Sequence, residues 1–253
     1  MIILPSTRGF PKKSAFSFTP AQLSGLELWV RGDQGFTAGT ATTKAQWTDL
    51  SGKGRNLIAN ANGSTAITYN ASTGCGKPSI YFDQFSNAYM QTSSNMPALT
   101  RGSYLIVVVF RMSVSSPGAF AALYGQGTTT KIGYLAQTDG YNLQDSTGSG
   151  YGINSILNAY STSQLTNLEI IESVSSTSFR SHNNFWGTTT ITTSMAAPSA
   201  ALGYLAAAER GGTGYGFATY FGELIVCSSY TAADITNLKK YLNNYWNSYY
   251  KFP

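Results

Sequence analysis

The stretch GELIVCSSYTAADITNLKKYLNNYW, residues 222–246, joins an apolar strand pattern directly to an amphipathic helix pattern. Residues 224–227 form an apolar run of the length typical of a buried strand, and two serines end it. Thr231 has a side chain suited to capping a helix, and Asp234 stands three residues later, at the position of a capping-box acid. Apolar positions then recur at three- and four-residue steps: Ile235, Leu238, Leu242 and Tyr245. This spacing predicts a helix that lies on another layer.

Upstream of this stretch, short strand patterns alternate with turn residues. LELWV (26–30) alternates in hydrophobicity, and a short strand is expected around Trp47 before a glycine-rich turn. The β-branched run LIVVVF (105–110) is typical of a central strand. No fixed-period repeat and no linker follow residue 22. We therefore expect one antiparallel sandwich over residues 23–253, whose last strand pairs near the first and whose C-terminal helix covers an exposed end or edge of the sheets.

The composition bounds the kind of protein. Hydrophobic residues make up 42% of the 253 residues and aromatic residues 13%, enough for a large core. Charged residues are only 11%, against roughly 25% in an average globular protein. The surface must therefore consist mainly of Ser, Thr, Asn, Gln, Gly and Tyr. Such a surface is common outside cells and in assemblies, and rare in cytosolic metabolic enzymes.

The positive charge and the cysteines indicate neither nucleic-acid nor zinc binding. The net charge is +5, and three basic residues precede the first acid, Glu27. Without repeated Lys/Arg clusters and interleaved aromatic residues, this pattern does not predict a nucleic-acid interface. Two cysteines are too few for a multi-cysteine zinc site. Cys227 reads as a core residue and Cys75 as a loop thiol, and a disulfide between them is allowed but not required.

Residues 1–22 read as an extended arm. The apolar run in MIILPSTRGFPKK precedes the basic residues and is three or four residues long, so it matches neither a signal peptide nor a membrane span. Prolines exclude a helix, yet apolar residues recur along the segment. We predict that it attaches the domain to a neighbouring protein by lying in a groove or along a sheet edge; the alternative is that it wraps its own domain. The predicted arm contacts are Ile3, Arg8, Phe10, Lys12, Lys13 and Phe16.

The order of landmarks resembles that of laminin-G-like members of the concanavalin A-like lectin and glucanase superfamily. The resemblance covers about residues 23–246 and is carried by LELWVRGD (26–33), WTDLSGKGRNL (47–57), KPSIYFD (77–83), AYMQTSS (88–94), LIVVVFRM (105–112), SFRSHNNFWG (178–187) and the 222–246 stretch. In that group a Glu starts an aliphatic strand that leads into a helix with a Tyr-Leu pair and a final aromatic residue. Glu223, Tyr241, Leu242 and Trp246 match this pattern. The resemblance implies a two-sheet jelly roll, found in lectin-like modules, in phage and secreted bacterial proteins and in a minority of glycosidases.

The acidic residues do not match the glucanase branch of that superfamily, which places its acids at alternate positions of one strand. No two of the eleven acids are two or four residues apart. Glu169 and Glu172 come nearest, but residues three apart in a strand lie on opposite faces. Glycoside hydrolysis needs two carboxyl groups that face one sugar. We therefore expect no enzymatic activity, although acids distant in sequence could converge.

The single histidine, His182, lies in FRSHNNFWG (179–187). This segment contains no nucleophile elbow, so His182 reads as a polar hairpin residue rather than a catalytic one. Asn183 and Asn184 suit a tight turn between two strands. Trp186 just beyond is either a core residue or part of a platform on which a sugar ring stacks.

The glycine-rich stretch QTDGYNLQDSTGSGYG (137–152) reads as a loop with ligand-binding residues. Its Asp and Asn oxygens suit a hard cation, but their spacing fits no EF-hand, so an ordinary polar loop is favoured over a calcium site. No cofactor is expected. Its aromatic and polar side chains could also bind a glycan. The candidate carbohydrate-binding residues are Asp139, Tyr141, Asn142, Asp145, Tyr151, Asn184 and Trp186.

Two classes of function follow. The first is a non-enzymatic virion structural protein: a phage decoration protein, head fibre or tail-associated adhesin assembled in the host cytoplasm. Its arm would bind other virion proteins, its lectin-like surface would face a host glycan, and it would form homo-oligomers in the assembly. The alternative is a secreted carbohydrate-active enzyme or a carbohydrate-binding module.

Overall fold

The computed structural model describes most of the chain in thirteen segments. These are residues 17–62, 66–72, 74–83, 89–112, 120–126, 130–137, 140–147, 150–157, 166–184, 187–192, 198–206, 219–246 and 251–252; for 130–137, 140–147 and 150–157 it describes the backbone.

Seventeen described strands form two sheets in which every strand pair is antiparallel. Sheet A contains β1 (Leu26–Arg31), β5 (Ile67–Asn70), β6 (Ser79–Phe82), β8 (Leu105–Met112), β13 (Asn167–Ser173), β14 (Ser178–Asn183), β15 (Gly187–Thr192) and β17 (Thr219–Cys227). Sheet B contains β2 (Phe36–Thr37), β3 (Lys44–Trp47), β4 (Leu57–Asn62), β7 (Tyr89–Thr92), β9 (Phe120–Gln126), β10 (Thr130–Gln137), β11 (Gly140–Thr147), β12 (Gly150–Leu157) and β16 (Gly203–Ala206).

Strand order confirms the predicted all-β sandwich. Sheet A runs β15-β14-β13-β8-β17-β6-β5, and β1 also pairs with β17. Sheet B runs β12-β11-β10-β9-β16-β7-β4-β3-β2. The first and last strands pair as expected, with Trp29 opposite Ile225. β8 is central and buried on both faces, as its β-branched run predicts.

The main core lies between the two sheets. Sheet A contributes alternate residues of β8 and β17, such as Val108 and Leu224, and sheet B contributes Trp47, Leu57 and Leu205. These side chains are fully buried. The alternation places the intervening residues of β8 and β17 on the outer face of sheet A, where they need a second cover.

The helix α1 (Ala232–Tyr245) covers that outer face. The predicted capping box forms: the backbone N–H of Thr231 donates to Asp234 Oδ2 at 2.8 Å, and that of Asp234 donates to Thr231 Oγ1 at 3.2 Å. Leu238 and Leu242 of the helix are fully buried against Val107 of β8 and neighbouring residues. The prediction that the helix covers an end or edge of the sheets is wrong. It lies on a face, because both faces of β8 and β17 are apolar.

A β-bulge and a buried carboxylate fix the helix to β17. Gly222 is the extra residue between Phe221 and Glu223, and the bulge turns Glu223 toward the helix. A Cβ on Gly222 would lie 2.6 Å from the Trp246 ring, so only glycine permits this approach. Both Trp29 Nε1 and the Tyr241 hydroxyl donate to Glu223 Oε1 at 2.7 Å, and Trp246 Nε1 donates to Oε2 at 2.6 Å.

The electrostatics of this carboxylate reflect its burial. Desolvation raises the pKa of Glu223, while the hydrogen bonds from Trp246, Tyr241 and Trp29 act in the opposite direction. Three donors on one buried carboxyl group satisfy it as a buried polar group requires. The residues that carry the family resemblance at 223, 241 and 246 therefore form one structural network.

The glycine-rich turn after β3 is organised around Asp49. Its carboxylate accepts hydrogen bonds from the backbone N–H groups of Trp29, Ser51 and Arg55 at 3.1, 2.9 and 3.0 Å. The turn within WTDLSGKGRNL thus closes on its own acid, and Arg55 also pairs with Glu27 at 2.9 Å.

The described end of the arm belongs to the domain. Pro20 is buried in a short 3₁₀ helix, Pro20–Gln22, and Phe18 packs edge-on against Tyr241 at a centroid distance of 6.5 Å. The six predicted arm contacts, at positions 3, 8, 10, 12, 13 and 16, lie outside the described residues. Two residues of the predicted arm 1–22, Phe18 and Pro20, therefore pack on the domain.

Both cysteines are buried and free. Cys75 lies in a bend, as predicted, but its thiol is buried. Burial raises the pKa of this thiol, and its Sγ donates to the Tyr220 carbonyl at 3.4 Å. In the part of the chain that the structure describes, no helix is long and apolar enough to cross a membrane.

Candidate functional site

A polar cluster occupies the outer face of sheet A beside the helix, where β13, β14 and β15 end the sheet. Glu172 is paired in register with Arg180, and His182 with Thr188. Directly opposed residues of antiparallel strands share a face, so the register alone brings these side chains together. We call Glu172, Arg180, His182 and Thr188 the outer-face cluster.

A continuous series of hydrogen bonds connects the four residues of the outer-face cluster. Arg180 Nη1 donates to Glu172 Oε1 at 2.6 Å, and His182 Nε2 lies 3.1 Å from the same oxygen. His182 Nδ1 lies 2.9 Å from Thr188 Oγ1. Since Glu172 accepts, the imidazole donates through Nε2. In the neutral imidazole, Nδ1 then accepts the Thr188 hydroxyl proton and leaves the Thr188 oxygen able to accept from a ligand.

The inner members of the outer-face cluster are buried, and its outer members face solvent. The side chains of Glu172 and His182 are 4% and 8% exposed, whereas that of Arg180 is 44% exposed. Thr188 and the next outward-facing residue of β15, Thr190, are also exposed. Buried acid and imidazole groups thus orient an accessible guanidinium and hydroxyl.

Glu172 is the electrostatic centre of the outer-face cluster. Desolvation raises its pKa, but the hydrogen bond and charge of His182 and the charge of Arg180 outweigh this and hold the pKa of Glu172 below its ordinary value. Burial and then the charge of Glu172 raise the pKa of Tyr230 to about 12. Desolvation lowers the pKa of Lys239, which the charge of Glu172 opposes. One carboxylate therefore stands among the basic groups of Arg180, His182 and Lys239.

The outer-face cluster suits binding better than nucleophilic catalysis. An acid, an imidazole and a hydroxyl are aligned, but Thr188 is a secondary alcohol within a regular strand and not on a nucleophile elbow. Arg180 also neutralises the carboxylate that would have to stabilise an imidazolium. What the arrangement offers a ligand is a fixed guanidinium edge and adjacent hydroxyl groups.

Glu169 lies on the opposite face of β13, as predicted. It is fully buried, its carboxylate accepts from the Ser181 hydroxyl, and Asn183 Nδ2 donates to it at 2.5 Å. The carboxylates of Glu169 and Glu172 consequently lie on opposite faces of β13, with Ser181 and Asn183 contacting one and Arg180 and His182 the other. Two carboxyl groups do not meet around one sugar on this strand.

The predicted carbohydrate-binding residues lie in different parts of the structure, and some lie outside the described residues. Asn184 is buried, and its side chain accepts from Leu168 N at 2.8 Å and donates to the Thr166 carbonyl at 3.2 Å. We therefore no longer assign it to a glycan surface. Asp139 and Trp186 lie outside the described residues.

The prediction of a loop over residues 137–152 is wrong. Its chain continues as the paired strands β11 and β12, which end sheet B, with Ser146 opposite Tyr151. Tyr141, Asn142 and Asp145 are therefore strand positions, and their side chains lie outside the description. Among the described residues, no group of three or more His, Cys, Asp and Glu residues could hold a metal ion.

Sequence reasoning missed Arg180 and Thr188 and set Glu172 and His182 aside. One signal was available: Arg180 and His182 are two residues apart, as are Thr188 and Thr190, so each pair faces one side of a strand. The sequence alone does not predict the strand register that places these two pairs side by side.

The two sheets and the packed helix define a β-sandwich domain of the jelly-roll type. No protein-family model matches the sequence, and the search of curated proteins gave no match. Similar solved structures include domain 4 of AbnA, a GH43 extracellular arabinanase from Geobacillus stearothermophilus, in complex with arabinotriose. Its TM-score is 0.57 at 11% identity, covering 86% of this chain and 99% of that one.

Two toxin structures are similar over the same region. The binding domain of Paraclostridial Mosquitocidal Protein 1 has a TM-score of 0.56 at 11% identity, covering 89% of this chain and 54% of that one. Botulinum neurotoxin type C, which depends on interaction with two ganglioside molecules to enter cells, has a TM-score of 0.56 at 8% identity, covering 85% and 50%. The chain thus spans about half of each toxin chain. At these identities the likeness concerns the fold.

Proposed function

We propose that this protein is a non-catalytic glycan-binding module whose binding surface includes the outer-face cluster. The observation that carries the proposal is the exposed guanidinium of Arg180, held by buried Glu172 beside the exposed hydroxyls of β15. Sugar sites use a few well-oriented polar groups to select among hydroxyl arrangements. Similarity to a domain solved with arabinotriose and to toxin binding domains supports a binding role.

A glycan array tests this function. We expect the wild-type protein to bind at least one glycan in a panel of neutral and acidic plant and bacterial oligosaccharides, arabinan fragments included. The double substitution Thr188→Val and Thr190→Val keeps the side-chain volume but removes both hydroxyls, and should weaken that binding roughly tenfold or more. Thr68→Val, at an exposed position of β5 on the opposite edge of sheet A, is the matched control and should bind as wild type does.

Two further measurements belong to the same experiment. Chelation by EDTA should leave binding unchanged, because the proposal needs no cofactor; loss of binding would redirect attention to calcium at Asp139, Asn142 and Asp145. No new reducing ends should appear in the incubated glycans. Absence of binding to every member of the panel would refute the proposed function.

We further propose that residues 1–16 attach the domain to a phage virion, where the module faces a host surface glycan. Support comes from the sequence: apolar residues spaced among prolines, a weakly charged body and the laminin-G-like resemblance. Other virion proteins and further copies of this chain would be its partners, and it would assemble in the host cytoplasm.

The alternative is a carbohydrate-binding module of a secreted enzyme. One observation favours it: the likeness to domain 4 of the arabinanase extends over 99% of that domain. The two proposals share the binding function and differ in what the domain is attached to.

A further inference from the structure

The outer-face cluster has features that select the charge of its ligand, and the inference drawn from them rests on the glycan-binding function proposed above. Arg180 uses Nη1 for Glu172, and the described residues show no other hydrogen bond to its guanidinium. An arginine has five N–H donors in a planar fork, and two parallel donors match a carboxylate. Fixing by Glu172 lowers the entropy that the side chain loses on binding a ligand.

The local charge balance also favours an anion. Glu172 is one negative charge beside two basic side chains, Arg180 and Lys239, so these three groups carry one positive charge in excess when Lys239 is protonated. Arg180 and Glu172 form an ion pair in which the guanidinium is exposed and the carboxylate is buried. An approaching ligand therefore meets the cation and not the buried anion.

Hydroxyl groups lie directly beside the guanidinium. Thr190 is opposite Arg180 in register, and Thr188 is opposite His182. Opposed residues have Cβ atoms about 5 Å apart, which is the scale of one sugar ring. A ligand with a carboxylate and neighbouring ring hydroxyls can therefore contact Arg180 and both threonines at once.

We propose that the outer-face cluster binds an acidic sugar, whose carboxylate pairs with the remaining N–H groups of Arg180 while Thr188 and Thr190 contact adjacent ring hydroxyls. The ligand is a uronic or sialic type of residue within a larger glycan. A neutral sugar of the same shape binds more weakly, because it leaves the exposed guanidinium with water as its only further partner.

Calorimetric titration with two matched pairs of probes tests the proposal. The pairs are tri-galacturonate against its methyl ester, and 3′-sialyllactose against lactose. We expect the full chain to bind an acidic member roughly ten- to a hundredfold more tightly than its neutral counterpart, as expected for hydrogen bonds to a charged group. Arg180→Lys should lose most of this preference, because an ammonium cannot form the fork.

Arg180 also holds Glu172, so a second pair of variants changes only the charge beside it. Thr190→Glu places a carboxylate opposite Arg180 and should abolish acidic-sugar binding, whereas Thr190→Gln should weaken it only by the loss of one hydroxyl. Lys240→Ala, at an exposed position of α1, controls for general loss of positive charge.

The outcomes separate the two proposals. Equal affinity for charged and neutral probes, or tight acidic-sugar binding by Thr190→Glu, would overturn the acidic-sugar inference. The glycan-binding function would survive either result if another member of the array still bound through β15. Absence of binding to every glycan would refute both.

Discussion

Glu172 is a residue at which stability and binding geometry depend on the same contacts. Its carboxylate accepts from Arg180 and His182 and is almost fully buried. A buried acid with two charge-assisted partners is costly to break from one side, because the remaining groups lose their partner. The residue is thus a positioning residue for Arg180 and not itself a ligand-contacting one.

The lowered pKa of Glu172 predicts the pH dependence of stability. A carboxyl group whose folded pKa is below its unfolded value stabilises the fold above the unfolded pKa, and this contribution is lost as the pH falls through the folded pKa. We expect the melting temperature of the wild type to fall between pH 5 and pH 3, and that of Glu172→Gln to fall less. At pH 7 the variant should be less stable by roughly 1 to 3 kcal/mol.

Asp83→Asn is a suitable control for this measurement, because the acid lies outside the outer-face cluster, directly after β6. Thermal denaturation followed by circular dichroism at a series of pH values gives both quantities. An identical pH profile for Glu172→Gln and the wild type would show that the ion pair with Arg180 does not persist in solution.

At the scale of elements, β17 and α1 act as one unit. The bulge at Gly222 and the carboxylate of Glu223 bind the end of the helix to the strand, while the apolar stripe covers the outer face of sheet A. The helix is amphipathic because its other side is solvated, and its capping box sets where it begins.

Truncating the apolar stripe should destabilise the whole domain. Leu238 is fully buried, so Leu238→Ala should cost about 2 to 5 kcal/mol through lost burial and the resulting cavity. Lys240→Ala on the exposed side should change stability by less than about 0.5 kcal/mol. Lys239 is a poorer control, since its ammonium lies 5.7 Å from the Phe252 ring centre. Equal losses in urea denaturation would contradict the orientation of the helix.

The accuracy of the sequence predictions differs between elements for a physical reason. The capping box, the helix and the central strand β8 were predictable because their signals are local: hydrogen-bonding side chains three residues apart and an apolar period. β11 and β12 were missed because GYNLQDST and GYGINSIL are rich in polar residues and glycine. Such segments become strands through their pairing partners, which local propensity does not report.

The outer-face cluster could not be predicted for a related reason. Glu172 is on β13, Arg180 and His182 are on β14, and Thr188 is on β15. Their contacts therefore depend on the register between these three strands. His182 looked unremarkable in its own hairpin. Its acid and its hydroxyl partner come from the strands on either side, at positions 172 and 188.

At the scale of the whole molecule, we expect the domain and its N-terminal arm to have separate roles. Residues 17–22 pack on the domain, so a clean test must end at residue 16. We expect deletion of residues 1–16 to leave the melting temperature nearly unchanged and glycan binding intact, while abolishing co-sedimentation with virions or with the partner subunit.

A deletion of residues 1–22 serves as the comparison, because it also removes Phe18 and Pro20 and should destabilise the domain. If the protein lacking residues 1–16 still assembles, or if it unfolds, the proposed role of the arm is wrong. Retained assembly would show that the contact with the partner is made by the domain and not by residues 1–16.

The place of β17 in sheet A also determines when this protein can fold during its synthesis. β17 comes after all the other described strands in the chain, yet it lies between β8 on one side and β1 and β6 on the other. Before residues 219–227 leave the ribosome, the described strands of sheet A form three groups with no pairing between them: β8 with β13, β14 and β15, β5 with β6, and β1 alone. The nascent chain must therefore keep its apolar strands from aggregating until residue 227 has been synthesised, and a ribosome that stalls before residue 219 releases unconnected parts of sheet A rather than a shorter domain.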